Sequence, residues 1–403
     1  MNSNLSIKSN LSTWPLQGSV NGFVAWLFGV TGPLLIVLNA AEVGELSSPV
    51  ITSWVFSIYV IGGLTTIFLS VRYKQPIAMA FSIPGAVLVG STLLNHSFSD
   101  VVGAYLITSL ILFVIAATKS TEKFFRMIPA PIMMGMVSGV LLPFGMNIFL
   151  SLLDLPLING GVFFTFLLLT LLTRVSRIVP PILGALVVGF VLLSFHQPMR
   201  INTLSFHISA PQLIIPTFNL HTIGELVIPL LVTVIVIQNA QGIMILRNTG
   251  YSPPTEALTV WSGAASFVNS FFGAHSACIA GPMTGIIADK SSGKISERYK
   301  GAIVMGMLWV LFGLSAGYVT QIVQFIPISF IELLAGLALL FVLKNCIVSS
   351  FSSNFQMGAL FSFIITLSGF SLLNIGAPFW GLVFGTLISY IFESKDFKRR
   401  KTE

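Results

Sequence analysis

The sequence predicts an all-α polytopic membrane protein: 14 transmembrane segments built as a 7+7 inverted repeat, with two short strands preceding broken helices 3 and 10. Three observations carry that expectation. Of 403 residues, 55% are apolar and 8% charged, against about 25% charged in soluble domains. Apolar runs recur at close to the roughly 20 residues that a spanning helix needs. Landmarks in the first half recur in the second. With 35 glycines and 20 prolines, the segments read as packed, interrupted helices rather than plain rods.

Residues 1–20 are polar, carry only Lys8 and lack a cleavage pattern, so they read as a cytoplasmic tail rather than a signal peptide. Apolar runs follow at 22–46, 49–70, 76–94, 100–118, 127–150, 160–173 and 180–195. A polar extracellular connection occupies 196–221. The second half runs through 222–247, 254–271, 273–289, 299–320, 326–343, 356–373 and 377–393, then a basic tail at 394–403. With both termini in the cytoplasm of a plasma (inner) membrane protein, all of the 20 Lys and Arg except Arg200 fall on the cytoplasmic side, as the positive-inside rule requires. The net charge of +7 is therefore a property of loops. It implies a lipid bilayer as partner and no nucleic acid.

The halves repeat at an offset of about 198 positions: Pro84 falls on Pro282, Gly103-Ala104 on Gly301-Ala302, Ile128-Pro129 on Ile326-Pro327 and Leu141-Leu142 on Leu339-Leu340. Asn39-Ala40 meets Asn239-Ala240 at nearly the same displacement. Seven spans is an odd number, so the second half enters the membrane inverted. Secondary transporters use this plan and place their site where the repeats meet.

Two stretches mark that meeting point, Gln75–Gly90 and Gly273–Ala288. Each reads as an extended piece, a proline and a short apolar helix. Proline suits the first helical turn and pushes the residue before it to an extended conformation. Helices opening at Pro84 and Pro282 would begin inside the bilayer, each presenting unpaired N–H groups and about half a positive charge. Facing one cavity, they would hold an anion. The extended pieces Ile77–Ser82 and His275–Ala280 carry backbone groups that must find partners in a bilayer, and they are expected to pair as two short strands inside the bundle.

Residues flanking the breaks are the candidate binding groups. Ser82 and Thr284 offer hydroxyls to a carboxylate, and Gly85 and Gly281 leave room for a ligand; helix capping and close packing explain them equally simply. Gln238, Asn239 and Gln241 put three amides in one apolar span, to fix a ligand or to join helices. Asn39 is the repeat partner of Asn239. Phe81, Phe271, Phe272 and Met283 offer apolar walls, although core packing is the default role for any one of 34 phenylalanines. Glu42, Glu332 and His275 are candidates for a coupling proton; the alternatives are an exposed helix end for Glu42 and a structural pair for Glu332. No GxSxG, HExxH, P-loop or Cys/His cluster occurs, and His196, His207 and His221 are scattered. Cys278 and Cys346 form no framework. No enzyme activity, cofactor or metal is expected.

The stretches Gln75–Gly90, Gln238–Tyr251 (QNAQGIMILRNTGY) and Gly273–Ala288 (GAHSACIAGPMTGIIA) resemble the benzoate/proton symporter (BenE-type) family, over about 21–393. That family is similar in architecture to the uracil permeases and sulfate transporters. The resemblance implies a core domain from 21–120 and 222–322 (spans 1–4 and 8–11) and a gate domain from 121–195 and 323–393 (spans 5–7 and 12–14). Substrate would sit between spans 1, 3, 8 and 10. The stretch after His275 departs from the family pattern, and the uracil permeases' proton-coupling glutamate of span 8 is replaced by Gln238 and Gln241. The function implied is proton-coupled uptake of a small aromatic carboxylate such as benzoate, by alternating access; a homodimer is compatible with the plan. The alternatives are transport of another anion or a nucleobase, or a non-transporting scaffold or receptor.

Overall fold

The computed structural model describes residues 16–121, 128–172, 175, 179–196, 210–323, 326–370, 372–373 and 376–400. The first 15 residues of the expected tail, Lys8, Lys123, Arg126, Arg174, Arg177 and Arg200 lie outside them. The described chain forms the expected segments in order: α1 Leu16–Val43, α2 Ser48–Tyr73, β1 Met79–Phe81, α3 Ile83–Leu93, α4 Phe98–Ala117, α5 Ala130–Asp154, α6 Pro156–Leu171 and α7 Pro181–His196. The second half gives α8 Leu220–Asn248, α9 Thr255–Phe271, β2 Ala277–Ile279, α10 Gly281–Ala288, α11 Tyr299–Leu314, α12 Ile328–Phe351, α13 Gln356–Leu367 and α14 Ala377–Phe392.

Helix α1 starts at Leu16, inside the expected tail. Its first turns are stabilised by contacts that hydropathy does not register: the Asn21 amide donates to Ser291 and Ser292 hydroxyls at 2.9 and 2.6 Å. Helix α8 contains a π turn, Thr233–Asn239, four residues after Pro229. Apolar periodicity gives no sign of it. π turns insert one residue per turn and recur at functional sites.

The inversion is visible in packing. Helix α2 packs on α11 and α9 on α4; α1 on α3 and α8 on α10; α6 on α7 and α13 on α14. Strands β1 and β2 pair antiparallel with Met79 opposite Ile279, Ala80 opposite Cys278 and Phe81 opposite Ala277. The central pair, Ala80 and Cys278, is separated by the displacement that carries Pro84 onto Pro282. The pseudo-twofold axis therefore passes between those two residues.

Proline inside α1 frees a carbonyl. Pro33 has no N–H for Gly29, and the Tyr59 hydroxyl donates to the Gly29 oxygen instead, at 2.8 Å. Tyr59 also meets Phe81, Trp309 and Phe312 edge-on, fixing α1, α2, β1 and α11 as one packed unit.

Candidate functional site

The two breaks form as the proline pattern requires. Ser82 caps α3, with Pro84 in its first turn, and Ala280 precedes α10, with Pro282 in its first turn. At 11 and 8 residues these helices are about 17 and 12 Å long, well short of a ~30 Å bilayer core. Helix α3 runs away from the strand pair at one end and α10 at the other. Ser82 lies opposite Ser276, to whose carbonyl its N–H donates at 3.2 Å. Ala280 is four residues further along the ladder. At ~3.4 Å per residue the two caps stand about 14 Å apart, so one carboxylate cannot touch both. The expectation of a single anion clasped between them is narrowed accordingly.

Several expected ligand contacts serve the strands. Two strands of three residues leave both edges unpaired, and in a bilayer each such group needs a partner. Met79 N–H donates to Thr66 Oγ1 at 2.9 Å, and the Ser70 hydroxyl donates to the Ile77 carbonyl at 3.2 Å. Ala277 N–H donates to Ser266 Oγ at 2.8 Å, and Ile279 N–H to Asn239 Oδ1 at 2.8 Å. Ala78 N–H donates to Thr284 Oγ1 at 3.3 Å. The Asn239 amide further donates to Ser262 Oγ at 3.1 Å. Ser82 Oγ accepts Gly85 N–H at 3.0 Å, a helix cap.

The two glycines make room for protein, not for open space. A Cβ on Gly85 would lie 2.8 Å from Leu230 Cδ1, and one on Gly281 would lie 2.7 Å from Gln241 Oε1. Side chains of α8 thus cover both helix starts. Gln238 is 6% exposed and makes no hydrogen bond among the described residues. Phe81 packs edge-on against Tyr59 and His275, Met283 reaches Gly29, and both are buried. The carbonyls of Phe271 and Phe272 accept from Ile214 N–H and the Ser53 hydroxyl. His275 is fully buried; Trp54 Nε1–H donates to its Nδ1 at 3.2 Å, and its Nε2 lies 2.9 Å from the Ser82 carbonyl.

A cavity of about 440 Å³ lies elsewhere, towards the end of the bundle opposite the termini. One wall is Asn39, Val43, Val87, Gly90, Ser91 and Glu225, from α1, α3 and α8. The facing wall is Val140, Phe144, Asn147, Glu332, Thr366 and Pro378, from α5, α12, α13 and α14. Its size is that of a small-molecule site, roughly 300–1,000 Å³. Of the expected site residues, Asn39 and Glu332 line it. Asn39 is 8% exposed, and its amide makes no hydrogen bond among the described residues. A buried amide ordinarily has partners, so Asn39 presents unused donors and an acceptor to the cavity. Glu42 is exposed at the end of α1 and is not among the lining residues.

Glu225 is the residue that sequence reasoning missed. It is buried, bonded to His96 at 3.1 Å, and its carboxyl carbon would lie 2.8 Å from a Cβ on Gly376. The available signal was a lone carboxylate within the 222–247 apolar run. Its partner His96 lies in a short loop, with nothing local to join the two.

Comparison with known proteins follows the same lines. Residues 14–391 match the family described as benzoate membrane transport protein. The chain is 31% identical over 389 residues to the benzoate membrane transport protein of Acinetobacter baylyi, covering 96% of this chain and 97% of that one. It is 28% identical to the inner membrane protein YdcO of Escherichia coli, over 90% and 93% of the two chains. Among solved structures it is similar to the transmembrane domain of the cyanobacterial bicarbonate transporter BicA, at a TM-score of 0.61 and 14% identity, covering 95% of this chain and 97% of that chain. At that identity the likeness speaks to fold alone.

Proposed function

The chain belongs to the benzoate membrane transport family, and on that footing we propose that it takes up a small aromatic carboxylate such as benzoate together with a proton, by alternating access. The observation that carries this reading is the cavity: it is open at one end, bounded by apolar side chains and Phe144, and supplied with the Asn39 amide, which makes no hydrogen bond among the described residues. The amide would donate to the carboxylate while Phe144, Val87 and Val140 bound the ring. Ser91 and Asn147 are further polar contacts within reach of the same space. The expected contacts at Ser82, Gly85, Phe81, Gln238, Asn239, Gly281, Met283 and Thr284 then support the site from behind rather than touch the ligand in this state.

The charge of the lining supports proton coupling. The cavity is lined by two carboxylates and no Lys or Arg, so an anion is accommodated together with a proton far better than alone. Access would alternate as the core spans (α1–α4 and α8–α11) move against the gate spans (α5–α7 and α12–α14), with the cavity as their seam. We place the protein in the inner membrane with both termini cytoplasmic, which makes the cavity outward-open. Transport, not catalysis, is the activity.

The test is uptake of labelled benzoate into proteoliposomes under an imposed pH gradient, with competition by a panel of carboxylates, bicarbonate and nucleobases. Asn39→Leu is expected to abolish uptake while the protein remains folded. Uptake indifferent to the gradient, or displaced only by bicarbonate or a nucleobase, would replace the reading.

A further inference from the structure

Behind the cavity wall lies a hydrogen-bonded chain of three side chains. Glu225 Oε2 is 3.1 Å from His96 Nε2, and His96 Nδ1 is 2.9 Å from Thr222 Oγ1. Glu225 is 6% exposed and forms part of the wall. We propose that Thr222, His96 and Glu225 form the proton-binding site of the transport cycle, and that this site is loaded before the anion enters. The proposal rests on the symport reading above.

The geometry accepts a proton without losing a bond. With a neutral ring, His96 Nε2–H donates to Glu225 and the Thr222 hydroxyl donates to Nδ1; the unit carries one negative charge. A proton arriving from cavity water bonds to Nδ1. The hydroxyl then turns to accept, since a hydroxyl serves as donor or acceptor. Nε2–H stays on Glu225, and the unit is neutral. Release to the other side reverses the step.

His275, which is fully buried, lacks this freedom. His275 Nδ1 accepts from the Trp54 indole N–H, and an indole nitrogen only donates. A proton on that nitrogen would set two donors face to face. His275 is thereby held neutral, with its remaining N–H on the Ser82 carbonyl. Between these two histidines, that of His96 is the one built to change charge.

The surroundings of Glu225 favour placing the proton on the ring. Helix α14 begins at Gly376–Ala377 against the Glu225 carboxyl, and a helix N-terminus favours a carboxylate. Helix α4 brings Asp100, whose carboxylate interacts with His96 and is bonded by Thr217 and Ser97. Helix α4 also carries the buried Tyr105; α3 and the π turn bring no titratable group, α14 only Tyr390 at its far end, and α8 itself His221 and, at its far end, Arg247. Glu332 stands on the facing wall, half-buried and therefore better screened. Discharging the buried Glu225–His96 unit removes the less screened of the two negative charges that an incoming carboxylate would meet.

The test uses the reconstituted full-length protein with labelled benzoate. A pH difference of about one unit drives about tenfold accumulation per coupled proton. His96→Gln is expected to retain benzoate counterflow at equal pH but to lose that accumulation, whereas His221→Gln, exposed at the same end of α8 and outside the cavity wall, keeps both. A merely structural role for the trio would lower counterflow and accumulation together and would overturn the proposal, as would uncoupling by Glu332→Gln alone. Independently of substrate, pH-difference infrared spectra of the purified protein should lose the signal of one imidazole ring in His96→Gln. An unchanged imidazole signal overturns the proposal. Absence of benzoate flux in the wild type defeats the symport reading, while the spectra still decide whether the trio binds a proton.

Discussion

Replacing Asn239 with alanine separates a ligand contact from a structural one. In the fold its Oδ1 takes the Ile279 N–H at 2.8 Å and its Nδ2 donates to Ser262 Oγ at 3.1 Å, with no exposure. The substitution strands a buried main-chain donor, which costs about 1–3 kcal/mol, and removes a second bond worth about 0.5–1.5 kcal/mol. The sum, about 2–4 kcal/mol, lowers the apparent melting temperature by roughly 4–8 °C at about 2 °C per kcal/mol. Tryptophan fluorescence during thermal unfolding in detergent measures it. Gln238→Ala is the internal control: that side chain is also buried but makes no hydrogen bond among the described residues, so its replacement should cost less than that of Asn239. An Asn239→Ala protein of wild-type stability that no longer binds benzoate would refute the strand-pinning role.

Other expectations are read directly from contacts. Tyr59→Phe leaves the Gly29 carbonyl freed by Pro33 without its donor and should cost about 1–2 kcal/mol in the same unfolding assay. Gly63→Leu drives a side chain into the Gly306 carbonyl, 2.6 Å from the position of a Cβ, so α2 and α11 cannot close and folded yield on size exclusion should collapse. In the loop after α8, Tyr251 donates to the Ile295 carbonyl at 2.7 Å, and burial holds its phenol above the ordinary value. That folded value is raised, so the stabilisation is complete below about pH 10 and is lost as pH rises through it. Tyr251→Phe should remove this alkaline loosening of the 249–254 and 293–298 loops, followed by limited proteolysis.

The fold was legible because its determinants are local. Apolar runs set the segments, and Pro84 and Pro282 placed the breaks within a residue of where the helices begin. The strand pair followed from the need to partner extended backbone. The site was harder, because its determinants are contacts between distant residues. Asn39 and Asn239 are equivalent in the repeat, yet one faces the cavity and the other holds a strand edge; nothing in their sequence neighbourhoods distinguishes them. Gly85 and Gly281 read as space for a ligand until Leu230 and Gln241 are seen to fill it. Glu225 gains its chemistry from His96, 129 positions away, and the π turn at Thr233–Asn239 altered which face of α8 carries its amides.

The ladder joining β1 to β2 has a mechanical consequence. Its main-chain bonds, together with the hydroxyls and amide that finish its edges, come from segments on a single side of the cavity. Relative displacement of the two walls therefore breaks no peptide hydrogen bond. On the proposed alternating-access reading, the work of switching would fall on rewetting and re-covering side-chain surface, with the strands themselves left untouched.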